Sequence, residues 1–213
     1  MDRETILSMV RDTKVVAIVR RVPADYAYDI AAALVEGGIQ ALEFTAETPG
    51  ITRIIEDVRR RLPDSIAVGV GTVLDGETAR VMLLSGADFI VTPTVNQTAI
   101  EVCGRYGKLV MPGAMTPTEI LTAYEYGADL VKVFPAGVLG VSYFRSLQGP
   151  LPHIPLMATG GISADNAQEF LQAGVTALGV GGSLVPAQAV RAKDYQVIEK
   201  EARRLMQAVF EHE

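Results

Sequence analysis

The fold is decided by a short sequence pattern that occurs in two similar copies, GADFIV at residues 86–91 and GADLVK at residues 127–132. In each copy, a glycine and an alanine precede an aspartate and a run of apolar residues. Glycine readily adopts the left-handed backbone that ends a helix, and a short apolar run of this kind is typical of a buried strand. The repeat therefore predicts a helix that ends at the glycine and is followed at once by a strand.

The same pattern extends along most of the chain. Apolar, β-rich runs begin at intervals of 20–26 residues, and the segments between them have helical periodicity. These runs are apolar on both faces, as in parallel strands that helices cover. The eight runs are residues 15–20, 41–46, 67–73, 89–93, 109–115, 130–136, 156–161 and 177–182.

This alternation predicts an α/β fold, namely a single-domain (β/α)8 TIM barrel over residues 1–213. Asp2 is placed to cap an N-terminal helix that carries Ile6 and Val10, so a capping helix is expected there. Asp194 begins a second apolar-periodic helix near the C-terminus. An open, doubly wound sheet of five or six strands is the alternative, because it produces a similar alternation.

Composition limits the classes of protein to which this chain can belong. Its 213 residues carry a net charge of −6 with a pI near 5.0, which argues against nucleic acid or a membrane surface as a partner. No apolar stretch reaches the ~18 residues of a membrane span, and the charged start does not read as a leader. A single cysteine, Cys103, excludes an internal disulfide. We expect a soluble, cytoplasmic protein.

In a parallel barrel, chemistry gathers where the strands end, so polar residues at those ends are the candidates for a site. His153 and His212 are not among them, and too few acids follow for a metal site, so neither a metal nor a cofactor is expected. The polar residues at the predicted strand ends are Arg20, Glu43, Thr45, Glu47, Thr72, Thr92, Thr94, Lys132, Thr159 and Ser183.

Lys132 is the most unusual of these residues, because it lies within the apolar run LVKVFP at residues 130–135. Burial disfavours the charged form of an amine, and a neutral amine attacks a carbonyl to form a Schiff base. A lysine at a strand end also occurs as a structural residue that reaches water or pairs with an acid. Both interpretations remain open on this segment alone.

Glu43 is an acid with apolar neighbours on both sides, and its strand and that of Lys132 are both even-numbered in the predicted barrel. Alternate strands fill the same interior layer, so the two side chains are expected to meet. In a catalytic site, Glu43 would shuttle protons for the amine. The alternative is a structural salt bridge, although burying both charges contributes little stability.

Two glycine-rich turns follow the seventh and eighth predicted strands, TGGIS at residues 159–163 and GVGGS at residues 179–183. Glycines let backbone N–H groups approach a phosphate, and many barrels hold phosphate at this position. Glycine is also a routine turn former. The two turns together favour a phosphorylated substrate.

Several motifs in this order resemble the bacterial 2-keto-3-deoxy-6-phosphogluconate / 4-hydroxy-2-oxoglutarate aldolase family, over about residues 15–190. The resemblance implies a class I aldolase with Lys132 as the Schiff-base lysine and Glu43 as the general acid/base. The implied substrate is 2-keto-3-deoxy-6-phosphogluconate, with 4-hydroxy-2-oxoglutarate as a second substrate; members are homotrimers without a metal. The motifs are LEFT at 42–45, GTV at 71–73, FIVTP at 89–93, MPG at 111–113, KVFP at 132–135, TGGI at 159–162 and GGS at 181–183.

The resemblance also implies which residues bind the substrate. Thr72 is expected near the pyruvyl carboxylate, and Phe134 beside the Schiff base. Other residues are expected to line the pocket or to hold the phosphate. The pocket residues are Thr45, Pro93 and Thr159, and the phosphate residues are Gly160, Gly161, Gly182 and Ser183.

Departures from the family pattern bear on specificity. Many members have an arginine where this chain has Glu47, and a carboxylate there would repel the substrate carboxylate. We expect Arg20, at the end of the first strand, to supply the positive charge instead. Ala158 and Thr94 also differ from the usual residues and are expected at the pocket rim, where they leave the 6-phosphogalactonate epimer open as an alternative substrate.

Two other classes of protein remain as alternatives. A phosphate-binding barrel isomerase or synthase would form no covalent intermediate, and a buried lysine with a partner acid counts against it. A non-catalytic protein that binds sugar acids would require Lys132 and Glu43 to form a closed ion pair without an open pocket.

Overall fold

The computed structural model describes residues 1–211 and contains there nine parallel strands and eleven helices. His212 and Glu213 lie outside the described residues, so the single domain over residues 1–213 stays a prediction. The strands are β1 (Val15–Val19), β2 (Ala41–Thr45), β3 (Ala67–Gly71), β4 (Phe89–Val91), β5 (Leu109–Met111), β6 (Gly113–Ala114), β7 (Val131–Val133), β8 (Leu156–Thr159) and β9 (Ala177–Val180). The helices are α1 (Arg3–Thr13), α2 (Ala24–Glu36), α3 (Ile51–Arg61), α4 (Gly76–Leu84), α5 (Gln97–Arg105), α6 (Pro117–Glu125), α7 (Ala136–Leu139), α8 (Val141–Leu147), α9 (Ala167–Gln172), α10 (Ala187–Ala192) and α11 (Tyr195–Phe210).

The sheet closes into a barrel through Pro112. The strand order is β5-β4-β3-β2-β1-β9-β8-β7-β6, so its two ends, β5 and β6, are consecutive in the chain on either side of that proline. The N–H of Thr92 donates to the Met111 carbonyl at 3.2 Å, and the N–H of Lys132 donates to the Pro112 carbonyl at 2.9 Å. The predicted barrel is confirmed and the doubly wound alternative is excluded. The fifth predicted strand is divided because proline has no N–H with which to continue a ladder.

Every strand is buried on both faces, because the barrel has an inner and an outer apolar layer. Side chains of one parity fill the interior, and those of the other parity pack against the helices. Along β2, Ala41 belongs to the inner layer and Leu42 and Phe44 to the outer one. Glu43 has the parity of Ala41, so the fold directs this acid into the interior.

The predicted N-terminal capping helix is confirmed as α1. The Asp2 carboxylate accepts a hydrogen bond from the N–H of Thr5 at 2.8 Å, as expected of a helix N-cap. Ile6 and Val10 are fully buried and pack with the inner layer, so α1 closes one end of the barrel. The predicted C-terminal helix is α11, with Asp194 as its N-cap. None of the helices in residues 1–211 has the length and apolar character needed to cross a membrane.

The repeated sequence has the same role in both copies. Its glycines end helices in the left-handed conformation, as predicted. Its aspartates accept backbone hydrogen bonds from neighbouring strands: Asp88 from Val68 at 3.0 Å and Asp129 from Val110 at 3.1 Å. Asp88 also pairs with Arg59 at 3.2 Å. These hydrogen bonds and the ion pair lie at the end of the barrel where the strands begin, opposite the end that carries the candidate site.

Candidate active site

Lys132 lies on β7 with its side chain directed into the barrel, where only 4% of the residue is exposed. Its amine forms no ion pair with any carboxylate of residues 1–211. The nitrogen lies 5.7 Å from the centre of the Phe134 ring, within the range of a cation–π contact. The lysine is therefore neither paired as a structural residue nor directed into bulk water.

Glu43 is fully buried on β2, and neither of its carboxylate oxygens has a hydrogen-bond partner within the described chain. Burial raises the pKa of this carboxyl above its ordinary value, while the charges of Lys132 and Arg20 oppose the rise and that of Glu47 adds to it. An acid in such surroundings retains a proton that it can transfer. These properties suit a general acid/base that works beside an amine.

Gly71, at the end of β3, makes room for the Glu43 carboxyl. A Cβ atom at this position would overlap the Oε1 atom of Glu43. The acid therefore occupies its interior position because the neighbouring strand carries no side chain there.

An open cavity of about 620 Å³ lies at the end of the barrel and includes Lys132 in its wall. This volume is within the usual range for small-molecule sites. Because the lysine faces an open cavity and forms no ion pair with Glu43, the conditions for the non-catalytic alternative are not met. The cavity also contains Arg20, Thr72, Pro93, Phe134, Thr159, Gly160, Gly161, Gly182 and Ser183, all of which were predicted as site residues.

The two glycine-rich turns meet at one side of this cavity. Gly160 and Gly161 have left-handed backbone, with φ of 92° and 77°, and the Ser183 hydroxyl donates to the Ile162 carbonyl at 2.8 Å. The backbone N–H groups of Gly161, Gly182 and Ser183 donate to no acceptor in residues 1–211. Free N–H groups converging on a cavity form a cradle for an anion.

Two threonines present polar groups to the same cavity. Thr72 has a positive φ of 57°, which is rare for a β-branched residue and is a form of strain found at functional sites. The Thr159 hydroxyl is buried without a hydrogen-bond partner within residues 1–211. It lies over Gly179, where a Cβ atom would overlap it. Both threonines are therefore candidates for contact with polar atoms of a ligand.

Arg20 and Glu47 form an ion pair at the mouth of the cavity, 2.8 Å apart. Arg21 lies 3.6 Å from the same carboxylate oxygen. The carboxylate of Glu47 is therefore matched by arginines rather than left to repel an anionic ligand. Arg20 still faces the cavity, as the sequence predicted.

Some predicted residues lie outside the cavity wall. Glu43 is fully buried and does not line it. Thr45 is also fully buried, with its hydroxyl 3.3 Å from that of Thr48, so the structure does not bring Thr45 into the wall. The expectation for Ala158 was wrong: it is fully buried in the outer layer, because its parity on β8 directs it toward the helices. Thr94 also lies outside the wall.

Sequence reasoning missed several residues that line the cavity. Ser163 and Gly181 belong to the glycine-rich turns and were within reach of the same argument. Ile18 gave no signal, because an apolar residue in a strand usually only packs. The missed residues are Ile18, Ile162, Ser163, Gly179 and Gly181.

The described residues contain no group of three or more histidine, cysteine or acidic side chains arranged to hold a metal ion. His153 packs edge-on against the Tyr124 ring at 5.6 Å. His212 lies outside the described residues.

Comparison with known proteins gives consistent similarities. Residues 6–201 match the family model "Aldolase: KDPG and KHG aldolase". The chain is 33% identical to the 2-dehydro-3-deoxy-phosphogluconate aldolase of Treponema pallidum, over 96% of this chain and 98% of that protein. It is 32% identical to the 2-dehydro-3-deoxy-6-phosphogalactonate aldolase of Escherichia coli K12, over 81% and 84%. A solved native KDPGal structure superposes with a TM-score of 0.86 and 30% identity, over 92% and 94%.

Proposed function

This chain belongs to the KDPG and KHG aldolase family and is a lyase, and from this membership we propose that it cleaves 2-keto-3-deoxy-6-phosphogluconate to pyruvate and glyceraldehyde 3-phosphate. The reaction proceeds through a Schiff base on Lys132. One observation carries the mechanism: a lysine amine without an ion pair, in the wall of an open cavity and beside a buried acid.

The reaction begins when the neutral amine of Lys132 attacks the C2 ketone. Glu43, which holds a proton at the start, transfers it to the departing C2 hydroxyl, so that water leaves, a protonated imine forms and Glu43 becomes a carboxylate. The C3–C4 bond then breaks, and its electron pair moves into the imine to form an enamine. Glu43 accepts the proton of the C4 hydroxyl, and glyceraldehyde 3-phosphate leaves. The same proton returns to C3, and hydrolysis of the resulting protonated imine frees pyruvate and the neutral lysine and returns a proton to Glu43.

Two sets of binding groups in the cavity wall fit the two charged ends of this substrate. The pyruvyl carboxylate lies near Thr72 and Arg20, and the phosphate lies on the free N–H groups of Gly161, Gly182 and Ser183. Phe134 packs beside the imine. The substrate is held so that its C2 carbon faces the lysine.

The experiment is borohydride reduction in the presence of pyruvate, followed by intact-mass analysis and peptide mapping. We expect one stable pyruvyl adduct, on Lys132, that Lys132→Met abolishes and Lys200→Met leaves in place. A folded wild-type protein that gives no adduct would refute the Schiff-base mechanism. It would favour a barrel that binds phosphate without a covalent intermediate.

The role of Arg20 has a kinetic test of its own. Replacing Arg20 with alanine is expected to raise KM by about tenfold or more, because a guanidinium–carboxylate contact is lost. An unchanged KM would show that Arg20 does not bind the substrate carboxylate.

A second substrate is favoured by the relative from E. coli, whose name gives the 6-phosphogalactonate epimer as its substrate. The two epimers differ at C4, the carbon whose hydroxyl group gives its proton to Glu43. Comparison of kcat/KM for the two epimers and for 4-hydroxy-2-oxoglutarate, which releases glyoxylate, identifies the preferred substrate.

We also propose that the protein is a homotrimer and that it is located in the cytoplasm. A homotrimer is proposed because the family that the sequence resembles forms homotrimers, and Val138, which is 80% exposed, is an apolar side chain that a partner subunit could cover. Light scattering coupled to size exclusion measures the mass, and a monomer would contradict this part. A cytoplasmic location is supported by the single, buried cysteine, since the chain needs no oxidising compartment.

A further inference from the structure

A second cavity, of about 520 Å³, adjoins the catalytic cavity between β1, the β9 turn and α10. The two cavities share Ile18, Arg20, Gly181 and Gly182 in their walls. A ligand in the second cavity therefore lies directly beside the anion cradle. The family match and the proposed reaction assign no role to this second cavity.

The second cavity is strongly positive. Arg20, Arg21 and Arg191 line it, and its wall contains no acidic residue. Glu47 is the single carboxylate that pairs with Arg20 and Arg21, at 2.8 and 3.6 Å. Arg191 pairs with no carboxylate of residues 1–211. Three guanidinium groups thus face one carboxylate, in a chain whose net charge is −6.

The backbone conformation of Arg21 also indicates a ligand site. Its φ is 49°, in the left-handed region that a long side chain seldom adopts. Strain of this kind persists when the surrounding structure fixes it and is concentrated at ligand sites. Here it occurs at a residue whose charged side chain lines the cavity.

The remaining wall is apolar and supplies a surface for the body of a ligand. Val22, Val185 and Val190 contribute aliphatic groups, and Tyr26 contributes an aromatic ring. Small-molecule sites usually combine an apolar wall with a few charged groups that fix orientation. Arginine forms bidentate hydrogen bonds with phosphate, so it can fix the orientation of a phosphorylated ligand.

We propose that this second cavity is a binding site for a phosphate group, held by Arg21 and Arg191 and separate from the cradle at Gly161, Gly182 and Ser183. The phosphate comes from one of two sources. It belongs either to a free phosphorylated ligand or to a substrate long enough to extend past Gly182.

The first test is a titration of the full chain with inorganic phosphate, in which binding is measured by calorimetry and by ³¹P NMR. Wild type is expected to have one more phosphate site per chain than Arg191→Ala or Arg21→Asn. Asparagine is chosen at position 21 because it tolerates left-handed backbone. The matched control Arg105→Ala removes an exposed arginine far from both cavities and is expected to bind phosphate as wild type does. The charge reversal Arg191→Glu should abolish the site if alanine only weakens it.

Steady-state kinetics then distinguish a phosphate that belongs to a substrate from one that belongs to a free ligand. If the cavity holds the phosphate of a substrate longer than 2-keto-3-deoxy-6-phosphogluconate, Arg191→Ala raises KM for that longer substrate about tenfold or more and leaves KM for 2-keto-3-deoxy-6-phosphogluconate unchanged, and inorganic phosphate inhibits its cleavage competitively. If it holds a free ligand, phosphate inhibition has a component that substrate does not relieve, and Arg191→Ala removes that component. Either result supports the site.

One result overturns the proposal: phosphate binding curves that Arg21→Asn, Arg191→Ala and Arg191→Glu all leave unchanged. The titration does not depend on the aldolase chemistry. Pyruvate carries no phosphate, so pyruvate trapping on Lys132 reports the proposed function independently of this cavity. Failure of one proposal is therefore distinguishable from failure of the other.

Discussion

Replacing Glu43 with glutamine is expected to remove a pH-dependent loss of stability along with the activity. The wild-type carboxyl is fully buried, both of its oxygens lack hydrogen-bond partners within residues 1–211, and its pKa is raised above the ordinary 4.5 by burial. The folded protein thus holds this proton more tightly than the unfolded chain does. Between the unfolded and folded pKa values, the free energy of unfolding falls as pH rises, because the unfolded state releases the proton first.

The size of this pH-dependent loss of stability follows from the linkage between proton binding and folding. Within that window, the wild type loses about 1.4 kcal/mol of stability for each pH unit, whereas Glu43→Gln has no proton to release and loses none from this position. The stability of the variant relative to wild type is therefore expected to rise with pH from about 4.5 upward and to level off above the folded pKa. The amide brings its own unpaired N–H groups, which shift the difference by a constant and leave its slope unchanged.

The assay is urea unfolding at pH 5, 6, 7 and 8 for wild type, Glu43→Gln and the control Glu56→Gln. Glu56 is exposed on α3, so its variant is expected to follow wild type at every pH. Turnover of Glu43→Gln should fall by about 100-fold or more, because the proton acceptor is lost. A stability difference between wild type and Glu43→Gln that stays constant from pH 5 to 8 would refute the reasoning about the buried carboxyl.

Other perturbations test the packing around the site and at the opposite end of the barrel. Gly71→Ala places a Cβ atom on the Glu43 carboxyl and should cost about 1–3 kcal/mol in urea unfolding and also reduce kcat, whereas Gly104→Ala, in open space on α5, should not destabilise. Equal effects of the two alanines would contradict the close approach. Cys103 is fully buried and burial raises its pKa to about 12, so the native protein should not react with a thiol reagent at pH 8 and the urea-unfolded chain should; rapid native labelling would show that the thiol is accessible. Asp88→Asn should lower the free energy of unfolding by about 3 kcal/mol, because the half-buried Arg59 and the ammonium group of Met1 lose the charge of their buried carboxylate partner, while pyruvate trapping is retained. A change under 1 kcal/mol would show that the ion pairs of Asp88 contribute little to the free energy of unfolding.

Much of the fold was predictable because its signals are local. Helix ends at glycine, caps such as Asp2, and strands that are apolar on both faces each follow from a few neighbouring residues. The division of the fifth strand was not predicted. Pro112 was visible in the sequence, but its position at the closure of the barrel depends on which strands lie beside it.

The candidate site was predictable where a residue type conflicted with its surroundings. Lys132 and Glu43 stood out as charges in apolar runs, and the glycine-rich turns stood out by composition. Thr45 and Ala158 were harder to place, because the direction of a strand residue depends on the parity of its strand in the closed barrel. A shift of one residue exchanges the inner and outer faces.

The sequence by itself determined the alternation of strands and helices, the capping helix and the two charged residues of the interior, because each of these depends on the chemistry of adjacent residues. Tertiary structure alone decided that Gly71 makes room for Glu43 and that Arg20 pairs with Glu47. It also decided that Arg21 and Arg191 share a cavity, although they lie far apart in the chain. Contacts of this kind are set by how the barrel closes, since closure brings distant strand ends together at one mouth.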